Sequence, residues 1–245
     1  MEKQQFFEQY RQLFEKNRLS QYCGEPVMDQ MYQMVEHLLE VNAHTNLTAI
    51  TDWNDILFKH LLDSCAVLPH IPEGSRVLDV GCGGGFPSLP MAIARQDLQV
   101  TGLDSTGKKV DYVNGAAAHL GLHNLQAICA RAEDLAKTDF RESFDVVTAR
   151  AVAALPVLCE LCIPFVKVGG VFCAMKGNPL SDEYPGGKTA FEALGAPIND
   201  EDICRYMLQP LSGEAETRTI FVARKQKKTS MQYPRSYGQI KKKPL

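Results

Sequence analysis

Val77-Leu78-Asp79-Val80-Gly81-Cys82-Gly83-Gly84-Gly85-Phe86-Pro87 begins as a short apolar strand and runs straight into a glycine-rich turn. A turn of this kind lets backbone approach a ligand closely, and the helix that follows offers free N–H groups. Three ligand classes use such a loop. A dinucleotide site needs Gly-x-Gly-x-x-Gly/Ala, in which the third small residue packs helix on strand. Phe86 stands at that position and argues against NAD. A phosphate-binding loop needs Gly-x-x-x-x-Gly-Lys-Ser/Thr. Gly102 to Lys108 approaches that spelling, but Lys109 replaces the magnesium-holding hydroxyl and Asp104 would sit inside the loop and repel phosphate. The third class is S-adenosylmethionine, a cationic sulfonium with a ribose diol and no phosphate. It calls for a carboxylate near the loop and an acid at the end of the second strand. Asp79 and Asp104 meet that requirement.

Outward from the loop, short apolar strands alternate with amphipathic helices. Arg76–Val80, Leu98–Leu103, Leu125–Cys129, Phe144–Thr148 and Val171–Met175 read as strands. Lys108–Leu120, stopped by Gly121, and Leu155–Val166, ending at Gly169-Gly170, read as helices. Such repeated βαβ units predict a mostly parallel sheet with helices on both faces. Ile203–Leu208 and Arg218–Ala223 flank a polar turn at Gly213 and read as an antiparallel hairpin, which brings the sheet to seven strands.

Toward the N-terminus, Phe6, Tyr10, Leu13 and Phe14 recur at helical spacing. So do Met28, Met31, Met34, Val35, Leu38, Leu39 and Asn42 after Pro26. Trp53 to Ser64 suggests a third helix capped by Asp52 and ended by Pro69 and Pro72. The expected organisation is a helical extension over 1–72, a nucleoside-binding domain over 73–225 and a basic tail over 226–245.

The chain has 245 residues, 45% hydrophobic and 22% charged, which excludes a disordered or fibrous protein. No stretch approaches the roughly 20 apolar residues of a membrane helix, and Met1 to Arg18 lacks the apolar core of a signal peptide. A cytoplasmic protein is expected, with its eight cysteines as free thiols. Cys159-x-x-Cys162 lies within a helix, with no second pair at zinc spacing, so no metal is expected. From Thr217 to Leu245 there are nine basic residues and no acid, on a body that carries a net charge of −12. That asymmetry suggests a polyanion partner or a solvated tail. Tyr233 and Tyr237, between the basic clusters, are suited to stacking on bases.

Several separated motifs then carry a resemblance. They are Asn46-Leu47-Thr48, Lys59-His60-Leu61-Leu62-Asp63-Ser64, the glycine loop with Phe86-Pro87, Leu103-Asp104-Ser105 with Lys108-Lys109, Arg131-Ala132-Glu133, Thr148-Ala149-Arg150-Ala151 and Met175-Lys176-Gly177. With the terminal Tyr233-Pro234-Arg235 and Lys243-Pro244-Leu245, the chain resembles the small-subunit ribosomal RNA guanine-N7 methyltransferase G family, also called glucose-inhibited division protein B. Ser88 departs from it, standing where the family usually has glycine.

The resemblance implies a Rossmann-like class I methyltransferase fold. It implies S-adenosylmethionine as cofactor, and 16S ribosomal RNA or the small ribosomal subunit as partner. The reaction implied is methyl transfer to N7 of a guanosine in a decoding-region loop. Carried over by motif, Gly81 and Phe86 line the methionine and ribose end of the cofactor, Ala132 and Glu133 border the adenine, and Arg150 lies at the mouth shared with substrate. Asp79, Gly83, Gly85 and Asp104 complete the expected cofactor set. Arg150, His60, Arg235, Lys241, Lys242 and Lys243 are the expected RNA contacts.

Guanine N7 carries an in-plane lone pair and no proton, so its alkylation needs no general base. No catalytic acid or base is assigned, and His60 with Asp63 is the nearest candidate dyad. Arg150 is expected to offer donors to guanine O6 or a flanking phosphate, or to pair with a nearby acid such as Glu133. Removing the chain after Lys225 is expected to weaken RNA binding and leave cofactor affinity intact. The alternative function is a non-catalytic RNA-binding ribosome assembly factor with the same fold.

Overall fold

The computed structural model describes residues 1–177 and 184–245. Its seven-stranded sheet has the order β3-β2-β1-β4-β5-β7-β6, formed by β1 (Arg76–Val80), β2 (Gln99–Asp104), β3 (Leu125–Cys129), β4 (Phe144–Arg150), β5 (Val166–Lys176), β6 (Ile203–Leu208) and β7 (Glu216–Arg224). The first five pair in parallel, and β7 runs antiparallel to both β5 and β6. Strand order reverses between β1 and β4, and in open sheets the crevice beyond the carboxyl ends at such a point takes ligands.

Successive side chains along the strands feed two separate cores, as period-two alternation requires. Val77, Val146, Cys173 and Ile220 point to one face, where they pack with α1 (Lys3–Lys16), α2 (Glu25–Thr45), α5 (Ser88–Ala94) and α6 (Gly107–His119). Leu78, Val147, Ala174 and Phe221 point to the other, against α8 (Leu155–Cys162), α9 (Tyr184–Ala193) and α10 (Tyr237–Lys242). The N-terminal helices therefore share a continuous apolar cluster with the sheet. Phe6, Tyr10 and Phe14 are fully buried in it.

Between α2 and β1 the chain forms α3 (Trp53–Asp55), a π-helical segment Ile56–Leu62 and α4 (Asp63–Cys65). Asp52 caps this run by accepting from the Asn54 and Asp55 amides. α7 (Ala132–Leu135) is a single turn between β3 and β4.

The helix expected to reach Val166 stops at Cys162, and Ile163–Phe165 tightens into a 3-10 turn. Pro164 cannot supply the amide that continuing the helix would need. Gly169 and Gly170 lie inside β5 instead of ending a helix. Gly169 has φ +88°, a Cβ on Gly170 would stand 2.6 Å from the Asp145 carbonyl oxygen, and the β4–β5 register shifts there.

The tail is ordered and tied down at several points. Arg141 donates to the carbonyls of Thr229, Ser230 and Tyr233. Lys225, almost fully buried, pairs with Glu142 at 2.9 Å. Arg235 makes a forked ion pair with Glu160, which is wholly buried in α8. Ile240 of α10 is fully buried.

All eight cysteines are free thiols. Cys159 and Cys162 are buried, and burial pushes their thiols well above the usual range, while Cys129 at the end of β3 is exposed. Among the described residues no helix is long and apolar enough to cross a membrane.

Candidate active-site cleft

The carboxyl ends of the parallel strands open into two adjoining cavities, which meet at Ala151. Ala151 holds φ +55°, a left-handed conformation that is rare for a residue with a Cβ. Backbone held this way, next to a cleft, marks a position fixed by its surroundings.

The first cavity, about 410 Å³, lies over β1, β2 and the start of α7. Its walls include Gly81, Asp104, Ala132, Glu133, Lys109 and Val152. Gly81 has φ +77°, and a Cβ there would lie 2.5 Å from Val152 Cγ2. Only glycine therefore keeps this wall open. Asp104 accepts from the Gly83 amide at 3.1 Å and from the Thr106 amide at 2.9 Å. One carboxylate thus fixes the loop and the entrance to α6, and it faces the cavity where a ribose would lie. Glu133 pairs with Arg131 at 3.4 Å. Glycine backbone, a carboxylate at the end of β2 and an acid after β3 fit a phosphate-free nucleoside with a diol.

Other expected contacts lie beneath this surface. Asp79 is fully buried, accepting from Ser88 Oγ and from Thr148 Oγ1 at 3.2 Å. It supports the loop from below, enclosed by those two hydroxyls. Burial raises its carboxyl to about 6, against the pull of those two hydroxyls. The departure at Ser88 has a structural role, since its hydroxyl is Asp79's partner. Gly83 meets Asp104, and Gly85, at φ +87°, has Leu89 Cδ1 2.4 Å from its would-be Cβ. These two glycines shape the turn and leave the wall to Gly81. Phe86 is buried, with its ring stacked 4.2 Å from that of His60 behind the second cavity's wall.

The second cavity, about 480 Å³, lies over β4 and β5 and is lined by His60, Asp63, Arg150, Met175, Lys176 and Arg218 among others. Arg150 Nη1 donates to Asp63 at 2.8 Å and to the Lys59 carbonyl at 2.8 Å, and its guanidinium stands 5.7 Å from the Phe86 ring centre. The Lys59 carbonyl belongs to the π-helical segment; such wide turns recur at functional sites. Arg218 Nε donates to the other Asp63 oxygen at 3.0 Å. Arg150 thus pairs with Asp63 and not with Glu133.

His60 and Asp63, the nearest candidate dyad, do not pair with each other. His60 Nε2 meets Thr48 Oγ1 at 2.9 Å, and Asp63 is held between two arginines. Burial, helped by the neighbouring Arg150 charge, lowers His60 to about 4, so its imidazole is neutral at physiological pH.

Asn42 and Thr48 explain the Asn46-Leu47-Thr48 motif. Asn42 Oδ1 accepts from the Leu47 and Thr48 amides, and the turn they form packs Leu47 against Gly84. Asp63's second arginine, Arg218, escaped sequence reasoning because the two are 155 positions apart. Its only sequence signal was membership of the basic run.

The basic C-terminus divides in two. Arg218, Arg224, Lys225 and Arg235 are bound within the protein. Arg235 neutralises Glu160 while part of its side chain stays exposed. Lys241, Lys242 and Lys243 are exposed, and Lys242 and Lys243 border a shallow groove with Arg235 and Gln239. Tyr233 packs against the second core with Arg235 beside its ring.

Comparison with solved structures gives the same fold at low identity. The O-methyltransferase from Bacillus cereus in complex with SAH aligns with TM-score 0.53 and 15% identity, covering 78% of this chain and 91% of that one. TYW2 from M. jannaschii in complex with AdoMet aligns with TM-score 0.51 and 17% identity, over 66% of this chain and 74% of that one.

Sequence relatives are much nearer. The ribosomal RNA small subunit methyltransferase G of Lactobacillus delbrueckii subsp. bulgaricus is 42% identical over 90% of this chain and 92% of its own. That of Deinococcus radiodurans is 42% identical over 90% and 86%. Residues 27–200 match the family described as GidB, rRNA small subunit methyltransferase G. On that match, and on the identity across nine-tenths of its length, the chain belongs to the rRNA small subunit methyltransferase G family.

Proposed function

We infer that this protein is an S-adenosylmethionine-dependent methyltransferase acting on ribosomal RNA, and that it methylates N7 of one guanosine in the 16S RNA of the small subunit, in the cytoplasm. The observation that carries this reading is the pair of cavities joined at Ala151, one fitted to a nucleoside and one walled by arginine, lysine and histidine. When bound, the cofactor supplies an electrophilic methyl group on a sulfonium.

The chain's own residues do the rest. Gly81 lets the cofactor approach the backbone, Asp104 takes the ribose hydroxyls, and Ala132 and Glu133 flank the adenine. Arg150, fixed by Asp63 and the Lys59 carbonyl, orients the base or its phosphate at the mouth. His60 stays neutral, and N7 holds no proton to remove, so catalysis comes from alignment and fixed charge. An A-form major groove is too deep and narrow for these side chains, so the target guanosine is unpaired or flipped out. Lys241, Lys242 and Lys243 engage RNA phosphates near the cleft.

The test is to incubate 16S RNA, both naked and as the assembled small subunit, with the protein and the methyl donor, and to map N7-methylguanine by base-specific cleavage. One modified guanosine is expected, absent with Asp104→Ala or Arg150→Ala. RNA binding without methylation on either substrate would favour the assembly-factor reading instead.

A further inference from the structure

Tyr237, the first residue of α10, is part of the wall of the nucleoside cavity, alongside Ala130, Arg131, Ala132 and Glu133. Its position is set by several independent anchors. Ser236 and Gln239 form a capping box around the start of the helix, and Ile240 is fully buried one turn on. Arg235, two residues earlier, is locked to the buried Glu160. Tyr237 is 38% exposed as a residue, unlike the buried aromatics of the core. The Arg131 guanidinium, which shares the cavity wall, lies 5.7 Å from the ring centre, and Arg131 is in turn paired with Glu133. An exposed aromatic face held rigidly at the adenine end of a nucleoside cavity is suited to stacking on a purine, and an ordered ring forfeits little entropy in doing so.

We propose that Tyr237 contacts the adenosine moiety of the cofactor, so that the C-terminal segment is a working part of the cofactor pocket. The inference rests on reading that cavity as the S-adenosylmethionine site. It reverses the expectation that the segment after Lys225 serves RNA alone. It also separates the two tail tyrosines, since Tyr233 is packed against the body and Tyr237 faces the ligand.

The test uses the full chain. Binding of S-adenosylhomocysteine and of 5′-methylthioadenosine is measured by calorimetry for the native protein, Tyr237→Phe and Tyr237→Ala, with RNA affinity and the ligand-free unfolding midpoint measured in parallel. Tyr237→Ala is expected to weaken both nucleosides about tenfold, the effect of losing one base–aromatic stack. Tyr237→Phe is expected to stay within about twofold of native, with ligand-free unfolding unchanged. Native-like affinity of Tyr237→Ala for both nucleosides would overturn the proposal and leave the site reading intact. Loss of RNA affinity alone would assign the ring to the substrate and overturn it too. A native protein that binds neither nucleoside would remove both the proposal and the reading beneath it.

Discussion

Asp79 and His60 are both buried beside the cleft, and burial drives them in opposite directions. Asp79 is raised from 3.8 to about 6, so over that range the folded chain holds a proton that the unfolded chain has lost. Its support for folding is full below the lower value and is lost as pH rises through about 6. His60 is lowered from 6.5 to about 4, so the unfolded chain takes up the proton first. Its contribution is full above 6.5 and is lost as pH falls through about 4. Across the overlap the two slopes oppose each other. Asp79→Asn is therefore expected to make stability fall more steeply on acidification, and His60→Gln to flatten it, as read from urea midpoints between about pH 4 and pH 7. Identical slopes in all three proteins would contradict this account. At Gly81 the expected effect is steric. Gly81→Ala forces a Cβ into the left-handed region against Val152, lowering stability by about 1–2 kcal/mol and nucleoside affinity with it, both measurable by denaturation with and without S-adenosylhomocysteine.

At the scale of elements, the C-terminal segment is where charge pattern and structure diverge most. Nine basic residues without an acid look like a solvated arm, yet Glu142 and Glu160, far back in the chain, hold Lys225 and Arg235. No local pattern reveals partners 75 or more positions away, and buried carboxylates in an otherwise apolar helix such as Leu155–Cys162 are easily read as surface charge. Arg235→Ala would leave Glu160 a buried carboxylate without its cation, held only by the backbone amide at 235, an expected loss of about 3 kcal/mol in chemical denaturation. Adding Glu160→Gln should recover part of it. Replacing Lys241, Lys242 and Lys243 together by Gln should change stability by less than about 0.5 kcal/mol. The same triple variant should flatten the salt dependence of RNA binding by about 0.7 in slope for each phosphate it no longer neutralises. An unchanged slope would remove the lysines from the interface. Most strands, by contrast, were readable as short runs punctuated by glycine or a polar turn, whereas the first half of β5, with Gly169 and Gly170 inside it, passed for a helix end. The π-helical turn was not readable, since its Ile56-Leu57-Phe58 run and the helical periodicity around it are compatible with an ordinary helix.

For the whole molecule, the strand order brings together side chains that the sequence keeps far apart. His60 and Asp63 come from the N-terminal third, Arg150 from β4 and Arg218 from the hairpin. The N-terminal helices bury Phe6, Tyr10 and Phe14 in the same cluster as Val77 and Val146. A single calorimetric transition is therefore expected, and two separable transitions would show that the first 72 residues melt on their own. Legibility followed the same division. The glycine loop and Asp104 could be read locally, whereas Asp79's place under the loop and Asp63's double pairing depend on tertiary neighbours. The accessibility of Cys129 has a practical side. It stands opposite Asp104 in the β2–β3 ladder and directly precedes Ala130 of the cavity wall, while five other thiols are sealed inside. A maleimide dye should attach there preferentially, giving a fluorescent reporter of pocket occupancy without any engineered mutation.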